Sequence, residues 1–274
     1  MSRQILLHLA RADAVLGGLI RAVGSCRLSA QADGHPFETL ARAIAHQQLN
    51  GTAANTILKR LVDSCGAGVF PTPAQVLAAS AESLRAAGFS FAKVASLRDL
   101  AEKTLAGVVP DAATLLGLSD EEIIARLTQV RGIGRWTVEM LLVFRLGRSD
   151  VLPADDFGLR SGFQAAYGLS RLPRPQALAA WGERWKPYRT TAACYLWRAN
   201  ELKRAGTLPA PAERIRLPRI RRARRRAGRK VAAKTRARPL RAAGTSSAPL
   251  RRSGARKRSR PRRARRSPAP GSRK

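Results

Sequence analysis

Apolar residues over residues 36–205 recur at the three- and four-residue spacing of an amphipathic helix, and the alternation typical of a β-strand is almost absent. Leu40 and Ile44 keep this spacing before a polar break at residues 46–51, and Ile57 and Leu61 keep it afterwards. The break predicts an exposed loop between two helices. Because the helical spacing continues beyond it, we expect an all-α fold.

Local signals predict where later helices begin. Ser119 with Glu122 three residues on fits a capping box, which would start a helix that ends near Val130. Proline at position 73 predicts that another helix opens there, covering residues 75–79. Further helices are predicted over residues 82–88, 94–105, 135–146, 156–167, 175–185 and 188–204.

Positive charge is concentrated at the C-terminal end of the 274-residue chain. The formal charge is +33, and residues 211–274 carry 26 Lys and Arg against one acid, Glu213. Such a segment buries too little apolar surface to offset its chain entropy, so we expect a disordered basic tail over residues 209–274. It would bind DNA non-specifically, with RNA association or a role in solubility as alternatives. The remainder divides into an N-terminal helical extension, residues 1–35, and a globular domain, residues 36–208.

The three cysteines, Cys26, Cys65 and Cys194, lie far apart and match no metal-ligand spacing. This pattern argues against a disulfide framework, a zinc site and an iron–sulfur cluster, and it implies a reducing compartment. No apolar run approaches the ~18 residues that a membrane span needs. We therefore expect a cytoplasmic protein with no membrane partner.

A Gly-Ile-Gly sequence, Gly132 to Gly134, separates two predicted helices. Glycine adopts backbone torsions denied to other residues and lets the chain approach a ligand closely. Free amides at the start of the following helix favour an anion such as phosphate. Alone, the pattern favours an ordinary helix-helix turn over a phosphate site.

The sequence around this turn is more specific. Leu127 and Val130 precede it, Trp136 follows it, and Asp155 and Asp156 come one helix and a loop later. This order resembles the helix-hairpin-helix, Gly/Pro-Asp superfamily of DNA base-excision glycosylases and, within it, the alkylated-base branch of the DNA-3-methyladenine glycosylase II enzymes. The resemblance covers residues 36–200 and includes the segments 46–49, 185–189 and 195–197. It implies two helical subdomains flanking a cleft, and double-stranded DNA containing damaged bases as the partner.

The resemblance assigns the catalytic carboxylate to Asp156, which has the apolar Leu159 three residues later, as the family pattern requires. The alternative for either aspartate is helix capping, and for Asp155 capping is the interpretation we favour. A carboxylate beside the sugar stabilises the positive charge that develops as an N-glycosidic bond breaks. Asp150 is interpreted as a loop or cap residue.

The same resemblance predicts the base pocket. Electron-rich rings attract a flipped cationic base, and we assign Trp136 and Trp197 as pocket walls. Met140 and Tyr195 complete the pocket, although Tyr195 fits the core equally well, and Trp181 and Trp185 are expected in the core. Family members that also cut the strand carry a lysine where this chain has Trp136, so a monofunctional enzyme is implied.

Two segments are predicted to contact DNA by resemblance. The loop Gln47, Gln48, Leu49 and Asn50 matches the segment that fills the gap left by the flipped base; Gln48 or Leu49 would be the plug, and Gln47 would instead satisfy backbone groups. A tight turn without DNA contact is the alternative. The predicted contacts to the DNA backbone come from the hairpin residues Gly132, Ile133, Gly134, Arg135 and Thr137.

The sequence thus predicts a monomeric, nucleoid-associated, bacterial enzyme that excises alkylated purines and requires no cofactor. A monovalent cation held by hairpin carbonyls near Gly132 and Gly134 occurs in the family. The alternatives are a non-catalytic architectural DNA-binding protein and a glycosylase for deaminated or oxidised bases.

Overall fold

The computed structural model describes residues 2–26, 28, 35–211, 215 and 217. Within these residues the chain forms thirteen α-helices and no β-strand, so the predicted all-α fold is confirmed. In chain order the helices are α1 Arg3–Ala12, α2 Ala14–Val23, α3 Pro36–His46, α4 Gly51–Cys65, α5 Pro73–Ala78, α6 Ala81–Ala86, α7 Phe91–Leu105, α8 Ala112–Gly117, α9 Asp120–Leu127, α10 Arg135–Phe144, α11 Phe157–Ala166, α12 Pro175–Gly182 and α13 Arg189–Ala205. A 3-10 turn, Glu183–Trp185, follows α12.

Two hydrophobic cores divide the helices into the two predicted subdomains. The first core lies among α3 to α10, with Leu40, Leu97 and Leu142 fully buried. The second lies among α1, α2 and α11 to α13. Trp197 packs against both cores, so the side chain of one predicted pocket residue lies where the subdomains meet.

The N-terminal helices belong to the second core. Leu9 of α1 and Leu16 of α2 are fully buried there, beside Phe163 of α11. Asp13 caps α2 by accepting hydrogen bonds from the amides of Val15 and Leu16, both at 3.1 Å. Residues 3–23 therefore complete the subdomain that carries α11 and α13.

The predicted helix starts follow the local signals. Ser119 caps α9, and the Glu122 carboxylate accepts a hydrogen bond from the Ser119 amide at 2.8 Å, so the capping box is confirmed. Helix α5 begins at Pro73, and a second capping box forms at its start between the N-cap Thr72 and Gln75 in the first turn. The core positions of Trp181 and Trp185 are also confirmed, since both side chains are buried.

The prediction against a disulfide is wrong for one pair. Cys26 and Cys194 form a disulfide with an S–S distance of 2.05 Å, across 168 positions of sequence. Spacing along the chain could not reveal this pair, because it is the packing of α2 against α13 that brings the two residues together. Cys65 is a free thiol.

Most of the predicted basic tail, residues 209–274, lies outside the described residues. Within the part of the chain that is described, no helix is long and apolar enough to cross a membrane. Nor does that part contain a group of three or more His, Cys, Asp or Glu side chains able to hold a metal ion.

Candidate active site

The two glycines of the hairpin between α9 and α10 differ in what the fold demands of them. Gly132 has a φ of 77°, and a Cβ added there would lie 2.8 Å from Ser96 Oγ. Gly134 has a φ of −97°, and an added Cβ would have no atom within 4 Å. The fold therefore requires a glycine at 132, whereas at 134 the missing side chain leaves open space in front of the start of α10.

The start of α10 has no capping side chain among the described residues. The amide groups of a first helical turn have no partner within the helix, and the helix dipole adds positive potential there. Ile133 is buried and anchors the hairpin in the first core. An open, uncapped helix start behind a glycine is a site that a phosphate can approach closely.

The Arg135 side chain already has acidic partners. Its guanidinium group donates to Glu139 at 3.0 Å and also bonds Glu121. Burial raises the pKa of Glu139, and the adjacent Arg135 opposes that shift. Arg135 therefore offers a phosphate its backbone amide, while its side chain ties α9 to α10.

Asp156 is the N-cap of α11, and both its oxygens are hydrogen bonded. Oδ1 accepts from the Leu159 amide at 2.6 Å and from Trp197 Nε1 at 2.8 Å. Among the described residues, Oδ2 accepts from Trp136 Nε1 alone, at 3.0 Å. Because each carboxylate oxygen has about two lone-pair directions, Oδ2 keeps one open. Helix capping and an available oxygen thus coexist in one side chain, although the sequence presented them as alternatives.

The neighbouring acids have other roles. Asp155 is exposed and is not the cap of α11, so the capping role favoured for it is wrong; the helix starts one residue later. Asp150 is a loop residue that accepts hydrogen bonds from the Arg189 amide at 3.2 Å and from its guanidinium at 2.8 Å.

A cavity of about 630 Å³ lies between α3 and α10, beside the hairpin. Trp136, Thr137 and Met140 border it from α10, and Trp136 is 46% exposed. Asp156 does not line the cavity. The indole of Trp136 bridges the two, because its ring borders the cavity while its N–H reaches Asp156 Oδ2.

The other two predicted pocket residues lie in different places. Trp197 is partly buried and packs against Phe144, with ring centroids 5.5 Å apart. Phe144 itself borders the cavity, so Trp197 lies behind its wall. Tyr195 is fully buried in the second core and donates a hydrogen bond to the Gly24 carbonyl at 2.8 Å, so the fold does not bring it to the cavity.

The polar loop after α3 also borders the cavity, through Gln47 and Gln48. Gln48 has a φ of 57°, which is uncommon for a residue with a side chain, and both it and Leu49 are exposed. Asn50 caps α4 through the Ala53 amide at 2.9 Å. Gln47 Nε2 donates to the Gly132 carbonyl at 2.8 Å. Gln47 and Asn50 are thus occupied by the protein, and Gln48 and Leu49 are the side chains left projecting.

The family is decided by comparison with known proteins. The model of the HhH-GPD superfamily of base excision DNA repair proteins matches residues 41–187. The chain belongs to this superfamily. A DNA-3-methyladenine glycosylase of the yeast Schizosaccharomyces pombe is 42% identical over 197 residues, which cover 72% of this chain and 86% of that protein.

Two solved structures of superfamily members resemble this fold over most of its described part. The S. pombe 3-methyladenine DNA glycosylase in complex with abasic DNA has a TM-score of 0.65 at 42% identity, covering 73% of this chain and 97% of that one. A DNA-3-methyladenine glycosidase from Bacillus halodurans has a TM-score of 0.67 at 34% identity, covering 73% and 91%.

The sequence interpretation assigned to a site none of the five α3 residues that border the cavity: Thr39, Leu40, Arg42, Ala43 and His46. Thr39, Ala43 and His46 face the cavity from α3, four and three residues apart. That spacing places them on one helical face, so a helical projection of α3 could have found them once the loop after it was assigned. Arg42 also borders the cavity and forms an ion pair with Glu38 at 2.7 Å.

The hairpin carbonyls leave limited room for a cation. The Gly132 carbonyl accepts from Gln47, and the Gly134 carbonyl accepts from the Val138 amide at 3.2 Å. A monovalent ion would have to use their second lone pairs. The cation stays a prediction, and no step of the chemistry described below uses it.

Proposed function

We propose that this HhH-GPD superfamily member is a monofunctional DNA glycosylase that excises alkylated purines, such as 3-methyladenine, from double-stranded DNA and leaves an abasic site. The observation that carries the proposal is the Asp156 carboxylate, which keeps one lone-pair direction of Oδ2 open beside an aromatic side chain that borders the cavity. The similarity to glycosylases named for 3-methyladenine supports the substrate class.

The chemistry follows from charge. When the bond between C1′ and the base nitrogen breaks, its electron pair leaves with the base, and positive charge develops on the deoxyribose. A purine alkylated at N3 or N7 is already cationic, so it departs as a neutral molecule without a general acid. Asp156 Oδ2 stabilises the sugar cation and accepts a proton from the water that attacks C1′. The Trp197 and Leu159 donors hold Oδ1 and thereby fix the direction of Oδ2.

The chain offers no nucleophile for strand cleavage at the expected position. Trp136 occupies the place of the lysine that nicking members of the family use, and no lysine is among the side chains that border the cavity in the described part of the chain. An indole cannot form a Schiff base with the sugar, so hydrolysis is the outcome.

DNA engagement uses both predicted segments. The hairpin amides of Gly134, Arg135 and Thr137 bind a phosphate at the open start of α10. Extruding the nucleotide costs a few kcal/mol of unstacking. Gln48 or Leu49 enters the duplex and fills the gap that it leaves. Trp136 and Met140 contact the extruded base, and Trp197 supports the wall behind Phe144.

The enzyme acts as a monomer on the bacterial nucleoid, and the basic residues 209–274 add non-specific DNA affinity. Counterion release makes that contribution strongly salt-dependent. Removing the residues after Ala210 should therefore leave base excision intact at low salt and weaken it progressively as salt rises. Equal salt dependence of the full-length and shortened proteins would contradict this role.

Base release from methylated duplex DNA tests the proposal. Chromatography should detect free 3-methyladenine and 7-methylguanine, with an alkali-sensitive abasic site left behind and no strand break before alkali. Release of only deaminated or oxidised bases from a panel of single-lesion duplexes would assign another substrate class. Tight DNA binding with no base released from any lesion would leave an architectural role and overturn the proposal.

A further inference from the structure

The two DNA-contacting segments are joined by one side-chain hydrogen bond. Gln47 Nε2, at the start of the loop that carries Gln48 and Leu49, donates to the Gly132 carbonyl at 2.8 Å. The two residues are 85 positions apart in sequence. The bond therefore sets the distance between the side chains that enter the duplex and the amides that face a phosphate.

The hairpin end of this bond is rigid. Asp99 Oδ2 accepts from the Arg131 amide at 2.7 Å, and Lys103 Nζ donates to the Gln129 carbonyl at 2.6 Å. Lys103 and Asp99 also pair with each other at 2.8 Å. With Ser96 against Gly132, these residues lie three and four positions apart on one face of α7.

The loop end is held by the same helix. Lys93 Nζ of α7 donates to the Ala45 carbonyl at 2.8 Å, two residues before Gln47. Between Gln47 and the capping residue Asn50, Gln48 adopts its left-handed backbone. A residue with a side chain persists in that strained region only where its neighbours hold it there, so the fixed flanks preserve the exposed conformation of Gln48.

We propose that Gln47 is a positioning residue that couples the loop to the hairpin, with the polar face of α7 as their common support. When the hairpin holds a phosphate, the coupling places Gln48 and Leu49 at the base step to be opened. The inference rests on the proposed function, because it concerns the same DNA site. It assigns Gln47 to the protein framework rather than to DNA.

Two replacements of Gln47 test the coupling. Gln47→Met keeps the length of the side chain and removes the donor. Gln47→Glu places a carboxylate against the Gly132 carbonyl, which repels it when ionised; the protonated acid restores a donor. Exposed Gln4 on α1 provides the matched control Gln4→Met, which makes the same chemical change far from the site.

For Gln47→Met we expect the single-turnover excision rate to fall about tenfold, since a small misplacement of reacting groups costs that much or more. Affinity for a duplex with an abasic analogue should fall similarly, affinity for undamaged duplex should change by less than about twofold, and the melting temperature should match that of Gln4→Met. The excision rate of Gln47→Glu, divided by that of Gln47→Met, should rise as the pH falls from 8 to 5.

This ratio isolates the introduced carboxyl group. His46 lies next to position 47, but it is present in both variants, so its contribution cancels in the ratio. Other charged groups in this region are common to both variants as well: Arg131 of the hairpin, Lys93, Asp99 and Lys103 of α7, and Arg42 and Arg145, which border the cavity. A pH-independent ratio would overturn the proposal.

Two other outcomes would also overturn the proposal. One is an excision rate for Gln47→Met equal to that of Gln4→Met. The other is an equal loss of affinity for abasic and undamaged duplexes, because it would make Gln47 a direct DNA contact. If the unmodified protein releases no base, the proposed function fails, and the preference for the abasic duplex over the undamaged one then tests the coupling by itself.

Discussion

Two aspartates, Asp13 and Asp156, have similar surroundings and differ in how many hydrogen bonds their carboxylates accept. Each caps a helix, and each accepts hydrogen bonds from two tryptophan indoles. The four tryptophans of the chain therefore all donate to one of these two aspartates. Asp13 is 4% exposed and accepts five hydrogen bonds. Its donors are the amides of Val15 and Leu16, the Tyr167 hydroxyl at 2.7 Å, Trp181 Nε1 at 3.0 Å and Trp185 Nε1 at 3.1 Å.

The difference separates a structural carboxylate, Asp13, from the one that we propose to be catalytic, Asp156. Five donors exhaust the lone pairs of Asp13, and the surrounding core excludes water and substrate. Asp156 has three donors, and the one on Oδ2 belongs to the half-exposed Trp136. A carboxylate reacts only where an oxygen is accessible, so the number of donors and their mobility decide which of the two can meet a sugar.

Replacing Asp13 should have the largest effect on stability. Asp13→Asn offers one acceptor oxygen where five donors converge, which leaves buried N–H and O–H groups without a partner. We expect the free energy of unfolding to fall by about 3–5 kcal/mol, measured by urea denaturation. The matched Asp156→Asn should cost less than about 1 kcal/mol, since asparagine caps helices as well as aspartate does. Equal losses for the two variants would break the comparison.

Loss of the disulfide between Cys26 and Cys194 should cause the next largest decrease in the free energy of unfolding. It closes a loop of 168 residues and ties the segment after α2 to α13, the helix that carries Trp197. Cys26→Ser should lower the free energy of unfolding by about 2–4 kcal/mol under oxidising conditions, and a reductant should produce the same loss in the unmodified protein. The excision rate at low temperature should not change. A reductant without effect on stability would contradict this expectation.

Replacing one tryptophan donor beside each aspartate by phenylalanine tests whether Asp156 acts in excision and Asp13 in stability. Trp136→Phe keeps an aromatic ring beside the cavity and removes the donor to Asp156 Oδ2; we expect the single-turnover rate to fall about tenfold, as loss of a hydrogen bond to a charged group predicts. Trp181→Phe removes a donor to Asp13 and should lower stability by about 1.5–3 kcal/mol without altering that rate. Excision kinetics and urea denaturation of both variants should therefore give opposite patterns.

The smallest expected effect is a loss of stability at alkaline pH, caused by the Tyr167 hydroxyl beside Asp13. Burial and the adjacent Asp13 raise the pKa of the Tyr167 hydroxyl well above its ordinary value. The folded state thus keeps a proton that the unfolded state loses, so this stability is complete below about pH 10, the ordinary tyrosine value, and is lost as the pH rises further. Tyr167→Phe should show a shallower decline in its urea midpoint above pH 10. An unchanged slope would exclude Tyr167 as the cause.

The sequence predicted those features that short patterns encode. The capping box at Ser119, the hairpin glycines and the position of Asp156 before α11 depend on residues a few positions apart. The Asp13 cluster could not be predicted, because its hydroxyl and indole donors lie 154 to 172 positions away. Nothing along the chain distinguishes such an aspartate from an ordinary cap.

Tyr195 and Cys194 show the same limit on α13. Tyr195 falls in a segment that matches the family pattern and Cys194 directly precedes it, yet which face of a helix meets the cavity depends on how α13 packs against α2 and α11. Tyr195 faces the second core and Cys194 is bonded to Cys26, whereas Trp197, two and three positions later, reaches Asp156. Pattern matching identified the segment and could not assign its faces.

The central claim is that Asp156 Oδ2 is the oxygen that stabilises the sugar cation, and Asp156→Asn tests it most directly. Asparagine preserves the cap and the Oδ1 acceptor while removing the negative charge. In single-turnover assays on a duplex with one 7-methylguanine, excision should slow by at least about 100-fold, while affinity for an abasic-analogue duplex stays within about threefold of the unmodified protein. Excision at an undiminished rate would contradict the claim.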